Sequence, residues 1–190
     1  MPGKRLTQLV CILLIALMPT AQASKVDEDQ RTHVDLRRTT LVVSDIGRSL
    51  EFYRDALGMV VIHDQTISTP LGASLQDADF VRRLVLLRAN DDYIGVIGLL
   101  EYVKPEKPSV SLKGSAFRTG TSVLVFRTQK LRESLEKARK IRGVVVLDEP
   151  ELVSYPSYAG EASIRMLVSS LQDPDGFTVE LSEVQEEKAQ

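Results

Sequence analysis

The feature that most constrains the fold of this chain is an internal duplication. Residues 46–61 and 131–146 align without a gap at a constant offset (134 − 49 = 85), so that a Ser-Leu-Glu triplet, an arginine, a glycine and a Val-Val pair coincide. A repeated segment of this kind is the mark of a supersecondary unit that buries its apolar face against its own copy. With 190 residues, the chain has room for two such units in one domain.

Each copy contains one predicted helix. Its apolar residues recur at helical spacing and predict one buried stripe per helix. The stripes are Ile46, Leu50, Tyr53 and Leu57 in the first copy, and Leu131, Leu135, Ala138 and Ile141 in the second. Asp45 is placed to cap the first helix, and Gly58 and Gly143 supply the left-handed residue that ends each one.

One β-rich run precedes each helix and three follow it, bounded by turn residues. The predicted strands are 38–44, 59–65, 81–88 and 94–102 in the first copy, and 123–128, 144–147, 164–171 and 177–182 in the second. The sequence therefore predicts an α+β fold of two βαβββ modules in tandem, 36–104 and 120–184. The connections 66–79 and 148–163 are long enough to flank a binding cavity, with Tyr155 and Tyr158 as candidate lid residues.

The chain ends differ in character from this middle part. Lys4 and Arg5, an apolar stretch over 9–18 and an Ala-Gln-Ala site ending at Ala23 indicate a secretory signal peptide over 1–23. We expect export to the periplasm or the exterior, and no membrane attachment after cleavage, because the apolar stretch is too short to span a bilayer. Residues 24–35 read as a polar linker and 185–190 as a polar tail.

The composition of the chain excludes some classes of function. The net charge of −2 gives no electrostatic basis for a nucleic-acid partner, so we expect a small-molecule ligand. Cys11, the one cysteine, lies in the signal segment, and the mature chain then has no disulfide, thiolate nucleophile or thiolate metal site.

Two motifs resemble a known superfamily. Thr39-Thr40-Leu41-Val42-Val43-Ser44-Asp45, followed by Ser49-Leu50-x-Phe52-Tyr53-x-x-x-Leu57-Gly58, is similar to the opening of a vicinal oxygen chelate (glyoxalase, bleomycin resistance and extradiol dioxygenase) module. Asp173-Pro174-Asp175-Gly176-Phe177-Thr178-Val179-Glu180-Leu181 is similar to its closing hairpin. The resemblance implies that the modules form a cupped mixed β-sheet that holds a small ligand, often with a divalent metal, and that a homodimer can form.

The resemblance also implies positions for the metal ligands. The closing-strand glutamate falls at Glu180, but the opening-strand histidine falls at Arg38 and its duplicate at Val123, where neither residue can bind a cation. A carboxylate on the last strand of the first module falls near Leu99, with Glu101 two residues on as a substitute. Glu180 is thus the single metal candidate, and we expect no cofactor, with a divalent metal as the less favoured reading.

The same register predicts what occupies the cup instead. Strand alternation places Arg38 and Glu180 on the inner face, where we expect them to form an ion pair. Arg38 and Arg127 are candidates to bind an anionic group, with Leu99 and Val123 in the apolar wall.

Two functions therefore remain open. The first is an exported protein that binds a small anionic or aromatic molecule without a metal and without changing it. The second is a metal-dependent lyase, isomerase or dioxygenase, similar to lactoylglutathione lyase, with a shifted ligand set of Glu180, Glu101 and His63. His33 is expected to be solvated in the linker, and His63 to lie on a strand.

Overall fold

The computed structural model describes residues 26–112, 114, 117–156 and 163–185. Contacts divide the chain into two units, residues 1–34 and 35–190. In the first unit the described residues contain one short 3₁₀ turn, Glu28–Gln30, without a buried residue. The second unit contains all the strands and both longer helices. The proposed signal peptide and residues 186–190 of the tail lie outside the described residues.

Two mixed four-stranded sheets make up the second unit, one from each copy of the duplication. The first has the order β1-β4-β3-β2 and the second β5-β8-β7-β6, with one parallel pair in each sheet, β1 with β4 and β5 with β8. The strands are β1 (Arg38–Val42), β2 (Val60–Thr69), β3 (Phe80–Arg88), β4 (Val96–Lys104), β5 (Val123–Arg127), β6 (Val145–Pro156), β7 (Ser163–Gln172) and β8 (Thr178–Val184). The predicted α+β fold of two βαβββ modules is confirmed, but as two sheets.

The first helix begins, and both helices end, at the capping residues that the sequence predicts. The first, α1 (Ile46–Leu50), is capped by the Asp45 carboxylate, which accepts a hydrogen bond from Arg48 N at 3.2 Å. It continues as a π-helical turn over Glu51–Ala56, whose wider spacing buries both Phe52 and Tyr53. Glycines at positive φ follow both helices, with φ +80° at Gly58 and +99° at Gly143.

The second helix, α2 (Leu131–Ala138), has no side-chain cap from its own N-terminal residue. Glu183 on β8 supplies it, because its Oε2 accepts from Leu131 N at 2.8 Å. Glu101 on β4 does the same for α1, accepting from Ile46 N at 3.3 Å. Each module therefore uses a glutamate on its last strand to satisfy a free N–H of its helix.

One apolar core joins the two modules. It contains the inward stripes of both helices and alternate residues of the strands beneath them, including Leu41, Leu99, Leu171 and Leu181. Tyr53 crosses between the copies, with its ring centroid 6.4 Å from that of Phe126. The core therefore lies on the helix side of both sheets.

Strand lengths differ from expectation chiefly in β6. The sequence placed a connection over 148–163, but β6 runs to Pro156 and pairs with β7 through two irregularities in register around Asp148. The alternation of Leu152, Val153 and Ser154 was too weak to reveal a strand. Similarly, β2 extends to Thr69, so the connection before β3 is shorter than predicted.

Candidate functional site

Each sheet has one face turned away from the shared core. On the first sheet this face carries Arg38, Thr40 and Val42 of β1, and we call it the first open face. On the second sheet it carries Val123, Val125 and Arg127 of β5, and we call it the second open face. Val42 is 50% exposed and Val125 is 63% exposed, so neither face is closed by the rest of the described chain.

The strand register shows which neighbours share the first open face. Thr40 pairs with Gly98, Gly98 with Leu86, and Leu86 with His63, while Arg82 lies opposite Tyr102 four residues further along both strands. Val85 and Leu87, between these positions on β3, are buried in the core. Arg82, Leu84 and Leu86 therefore belong to the open face.

The first open face is positively charged. It carries the guanidinium groups of Arg38 and Arg82, whereas the two carboxylates in these four strands, Asp64 and Glu101, lie on the helix side. The Asp64 carboxylate forms an ion pair with Arg83 at 2.7 Å, and this hydrogen-bonded pairing lowers the pKa of Asp64. An anion on this face would meet cationic side chains and no carboxylate.

The second open face carries more acidic than basic side chains. The register of β6, β7 and β8 places Asp148, Glu151 and Glu180 on it, with Arg127 as its cation. Glu180 is partly buried and lies opposite Val125 and Ser170. Within the described residues, no hydrogen bond or ion pair joins this face to the first open face.

The sequence-predicted site residues thus fall into three places. Arg38 lies on the first open face, and Val123, Arg127 and Glu180 lie together on the second. Leu99 and Glu101 lie on the helix side, where Leu99 is 0% exposed in the core and Glu101 caps α1. The expected Arg38 to Glu180 ion pair was wrong: among the described residues neither side chain has an ionic or hydrogen-bonded partner.

A glycine explains the position of Arg38. Thr40 pairs with Gly98 on β4, and its duplicate Val125 pairs with Glu180 on β8, so Gly98 and Glu180 occupy equivalent positions. A Cβ atom at Gly98 would lie 3.0 Å from Thr40 Oγ1 and 3.2 Å from Arg38 Cδ. The stem of Arg38 therefore lies across Gly98, in the space that a side chain at this position would fill.

The metal that the superfamily often carries does not suit the residues present. The four equivalent positions hold Arg38, Gly98, Val123 and Glu180, of which Glu180 alone has a lone pair for a cation. In the part of the chain that the structure describes, no three His, Cys, Asp or Glu side chains lie close enough to hold a metal ion. His63 lies across Leu86 on the first open face, and His33 is exposed before β1.

A cavity of about 660 Å³ adjoins the first open face. Val42 and Tyr102 line it together with residues 106–112 of the inter-module connection, and the lining includes three carboxylates, Glu101, Glu106 and Asp175. Asp175 Oδ1 accepts from Ser44 N at 3.1 Å and from Ser44 Oγ at 2.5 Å, which joins the β7–β8 turn to the segment that follows β1. Lys107 Nζ lies 5.4 Å from the ring centroid of Tyr102.

Sequence reasoning missed this cavity and Arg82. It looked for a lid at Tyr155 and Tyr158, but Tyr155 is 40% exposed within β6, and Tyr158 lies outside the described residues. The connection over 106–112 lines the cavity instead. Alternation along β3 could have assigned Arg82, because Val81, Val85 and Leu87 form one apolar side of that strand.

The comparisons with known proteins agree with the fold. The model of the Glyoxalase/Bleomycin resistance protein/Dioxygenase superfamily matches residues 35–181, and the chain belongs to this superfamily. No curated protein sequence matches the chain at a significant level. Within the residues that the structure describes, no helix combines the length and apolar character needed to cross a membrane.

Solved structures show the same architecture at low sequence identity. A glyoxalase family protein from Bacillus cereus superimposes with a TM-score of 0.63 at 11% identity, over 83% of this chain and 98% of that one. The trypanothione-dependent glyoxalase I of Leishmania major gives 0.51 at 20% identity, over 79% and 86%. TnmS3, an antibiotic binding protein from a Streptomyces species, gives 0.47 at 17% identity, over 82% and 98%. At these identities the likeness to the first two establishes the fold and no more.

Proposed function

We propose that this protein binds a small organic anion, with its anionic group on the first open face and its uncharged part in the adjoining cavity, and releases it chemically unchanged. The observation that carries the proposal is the charge of that face, which has the guanidinium groups of Arg38 and Arg82, while the two carboxylates of its strands, Asp64 and Glu101, lie on the helix side. The cavity volume, about 660 Å³, lies within the range of ligand pockets.

Binding without a metal follows from the ligand positions. A cation at the family position would meet the guanidinium of Arg38 and a glycine where a second carboxylate would be needed. The competing proposal, a metal-dependent lyase or dioxygenase, requires a shifted set built around Glu180. Metal analysis of the purified full chain separates them: a stoichiometric divalent ion that is lost in Glu180→Ala but kept in Glu151→Ala would overturn the binding proposal.

The ligand can be identified by recovering it from the purified protein. Protein purified at neutral pH is denatured, and the released small molecules are identified by mass spectrometry against a mock purification. We expect an anionic compound that rebinds to the refolded protein and is recovered unaltered after prolonged incubation. Conversion of the rebound compound into a product, or recovery of a cationic ligand, would refute the proposal.

We also propose export and a homodimer. Cleavage after Ala23 predicts a mature N-terminus at Ser24, which intact-mass measurement of the secreted or periplasmic protein checks. The homodimer is supported by the exposure of Val42 and Val125, apolar side chains that a second copy would remove from water. Light scattering after size exclusion should give twice the mature mass, and a monomer across the micromolar range would exclude it.

A further inference from the structure

Two buried residues on the second open face have hydroxyl groups without a hydrogen-bond partner. Ser170 on β7 is 6% exposed and Thr178 on β8 is 3% exposed, and neither side chain bonds to a described residue. Among described side chains, the fully covered atoms without a partner are limited to Arg82 Nε, so both hydroxyl oxygens remain accessible to solvent. Buried hydroxyls are normally satisfied within the protein, and these two are therefore available to an external group.

The first module shows that the fold does not require hydroxyl groups at these two positions. The strand registers make Thr178 equivalent to Val96 on β4, and Ser170 equivalent to Leu86 on β3. Both residues of the first copy are apolar, and the same strands form there. A buried polar group without a partner lowers stability relative to an apolar side chain. The exchange of apolar for hydroxyl residues in the second module therefore points to binding.

Two carboxylates lie beside the hydroxyl groups. Glu180 lies directly across from Ser170 and two residues from Thr178 on the same strand, and Asp148 lies across from Ser170 on the other side. Neither carboxylate forms an ion pair or a side-chain hydrogen bond with a described residue. Directly opposed side chains on neighbouring strands have Cβ atoms about 5 Å apart, close enough for their oxygen atoms to meet one small group.

We propose that Glu180, Ser170 and Thr178 bind the primary ammonium group of an organic amine, with Asp148 adding to the attraction. An ammonium group has three N–H donors and no acceptor, which matches one carboxylate and two hydroxyl oxygens. Hydrogen bonds from a charged donor to a carboxylate are among the strong ones. The site goes beyond the proposed function, because it lies on the other sheet and takes a group of the opposite charge.

The neighbours on β5 describe the rest of the amine. Val125 pairs with Glu180 and is 63% exposed, so it offers an apolar contact to an alkyl chain. Arg127 is exposed, lies across from Ser182, and forms no ion pair with Glu180 in the described part of the chain. Its guanidinium would repel a second cationic group on that side. The ligand is therefore a monoamine with an apolar body.

The test is a titration of the purified, nitrogen-15-labelled protein at pH 7.5, followed by nuclear magnetic resonance. Butylamine is protonated at this pH, as lysine is, and we expect a Kd of about 1 mM with shifts centred on the backbone amides of β7 and β8. Butan-1-ol lacks the charge and tetramethylammonium lacks the N–H donors, and both should bind at least about tenfold more weakly. Equal binding of tetramethylammonium or of potassium, or no butylamine binding at about 50 mM, would overturn the inference.

A ligand held this weakly dissociates during purification. The compound recovered in the test of the proposed function is therefore expected to come from the first open face, and the two experiments remain separate.

Variants locate the ammonium site. Glu180→Gln should weaken butylamine binding by about tenfold or more, and Thr178→Val, which installs the residue of the first copy, by about tenfold. Glu151→Gln is the matched control, because it removes the same charge from the same face, where Glu151 lies across from the apolar Val168. Equal losses in Glu180→Gln and Glu151→Gln would reduce the effect to general electrostatics and overturn the site.

The melting temperature gives an independent readout. Because the Thr178 hydroxyl has no partner among the described residues, Thr178→Val should leave the melting temperature of the ligand-free protein unchanged or raise it. Butylamine should stabilise the unsubstituted protein and Glu151→Gln, but not Glu180→Gln. A lower melting temperature of ligand-free Thr178→Val would show a structural role for the hydroxyl and contradict its role as an open acceptor.

Discussion

The buried carboxyl of Asp173 makes a testable link between pH and stability. It lies at the start of the β7–β8 turn, is 0% exposed, and accepts from Tyr53 Oη at 2.9 Å. Its Oδ1 also accepts from the backbone N–H groups of Asp175 at 3.0 Å and Phe177 at 2.9 Å. Burial outweighs these hydrogen bonds and raises the pKa of Asp173 from 3.8 to about 6.

Proton uptake by Asp173 decides whether this carboxyl stabilises the folded state at low or at high pH. Between the two pKa values the folded protein holds a proton that the unfolded chain releases, so the folded state is favoured at low pH. The contribution of Asp173 is complete below pH 3.8 and is lost as pH rises through about 6. A pKa difference of this size corresponds to about 3 kcal/mol of unfolding free energy.

Asp173→Asn removes this titration while keeping an oxygen that can accept from the turn. Urea denaturation of both proteins at pH 4, 5, 6 and 7.5 gives the difference in unfolding free energy at each pH. Between pH 4 and 7.5, we expect the unfolding free energy of Asp173→Asn to rise by about 2 kcal/mol relative to that of the unsubstituted protein. Subtraction cancels the other titrating groups, and Asp35→Asn, at an exposed carboxyl, is the matched control. A flat difference for Asp173→Asn, or one of opposite sign, would refute the reasoning.

Three further substitutions test the packing that positions the site, each measured by chemical denaturation. Gly98→Ala should lower the free energy of unfolding by about 1 kcal/mol, because its Cβ would crowd Thr40 Oγ1 at 3.0 Å and Arg38 Cδ at 3.2 Å, and Arg38→Ala in the same chain should recover part of the loss. An additive double variant would contradict the contact. Glu183→Ala should cost about 1 kcal/mol by leaving Leu131 N without its acceptor, and Glu183→Gln less; equal costs would point to lost packing. Tyr53→Phe should cost about 1–3 kcal/mol at pH 7.5, and no loss would show that its hydroxyl is unimportant.

The fold could be predicted from the sequence because its signals are local or repeated. Asp45 caps the helix that starts one residue later, and Gly58 and Gly143 end helices through their own backbone angles. The duplication then supplied the second module from the first. None of these inferences needs knowledge of which strands pair.

The site was harder, because a one-residue error in a strand moves a side chain to the other face. The sequence placed the first module's carboxylate position near Leu99, whereas the register places it at Gly98, and this error put Leu99 and Glu101 in the cup rather than on the helix side. The capping roles of Glu101 and Glu183 join residues more than 50 positions apart, with separations of 55 and 52. Only the three-dimensional structure reveals them.

The contact between Arg38 and Gly98 bears on how the family's metal site could be regained. Replacing Arg38 by histidine restores one ligand, but the opposite position still has no side chain. Placing glutamate at Gly98 while Arg38 is present would drive its Cβ within 3.2 Å of the arginine stem. Neither change by itself creates a site with two new ligands. The combination removes the arginine stem and its charge, while Thr40 Oγ1 stays 3.0 Å from the new Cβ atom. The arginine and the glycine therefore have to change together before two ligands are gained, and Arg82 would still give the open face a positive charge.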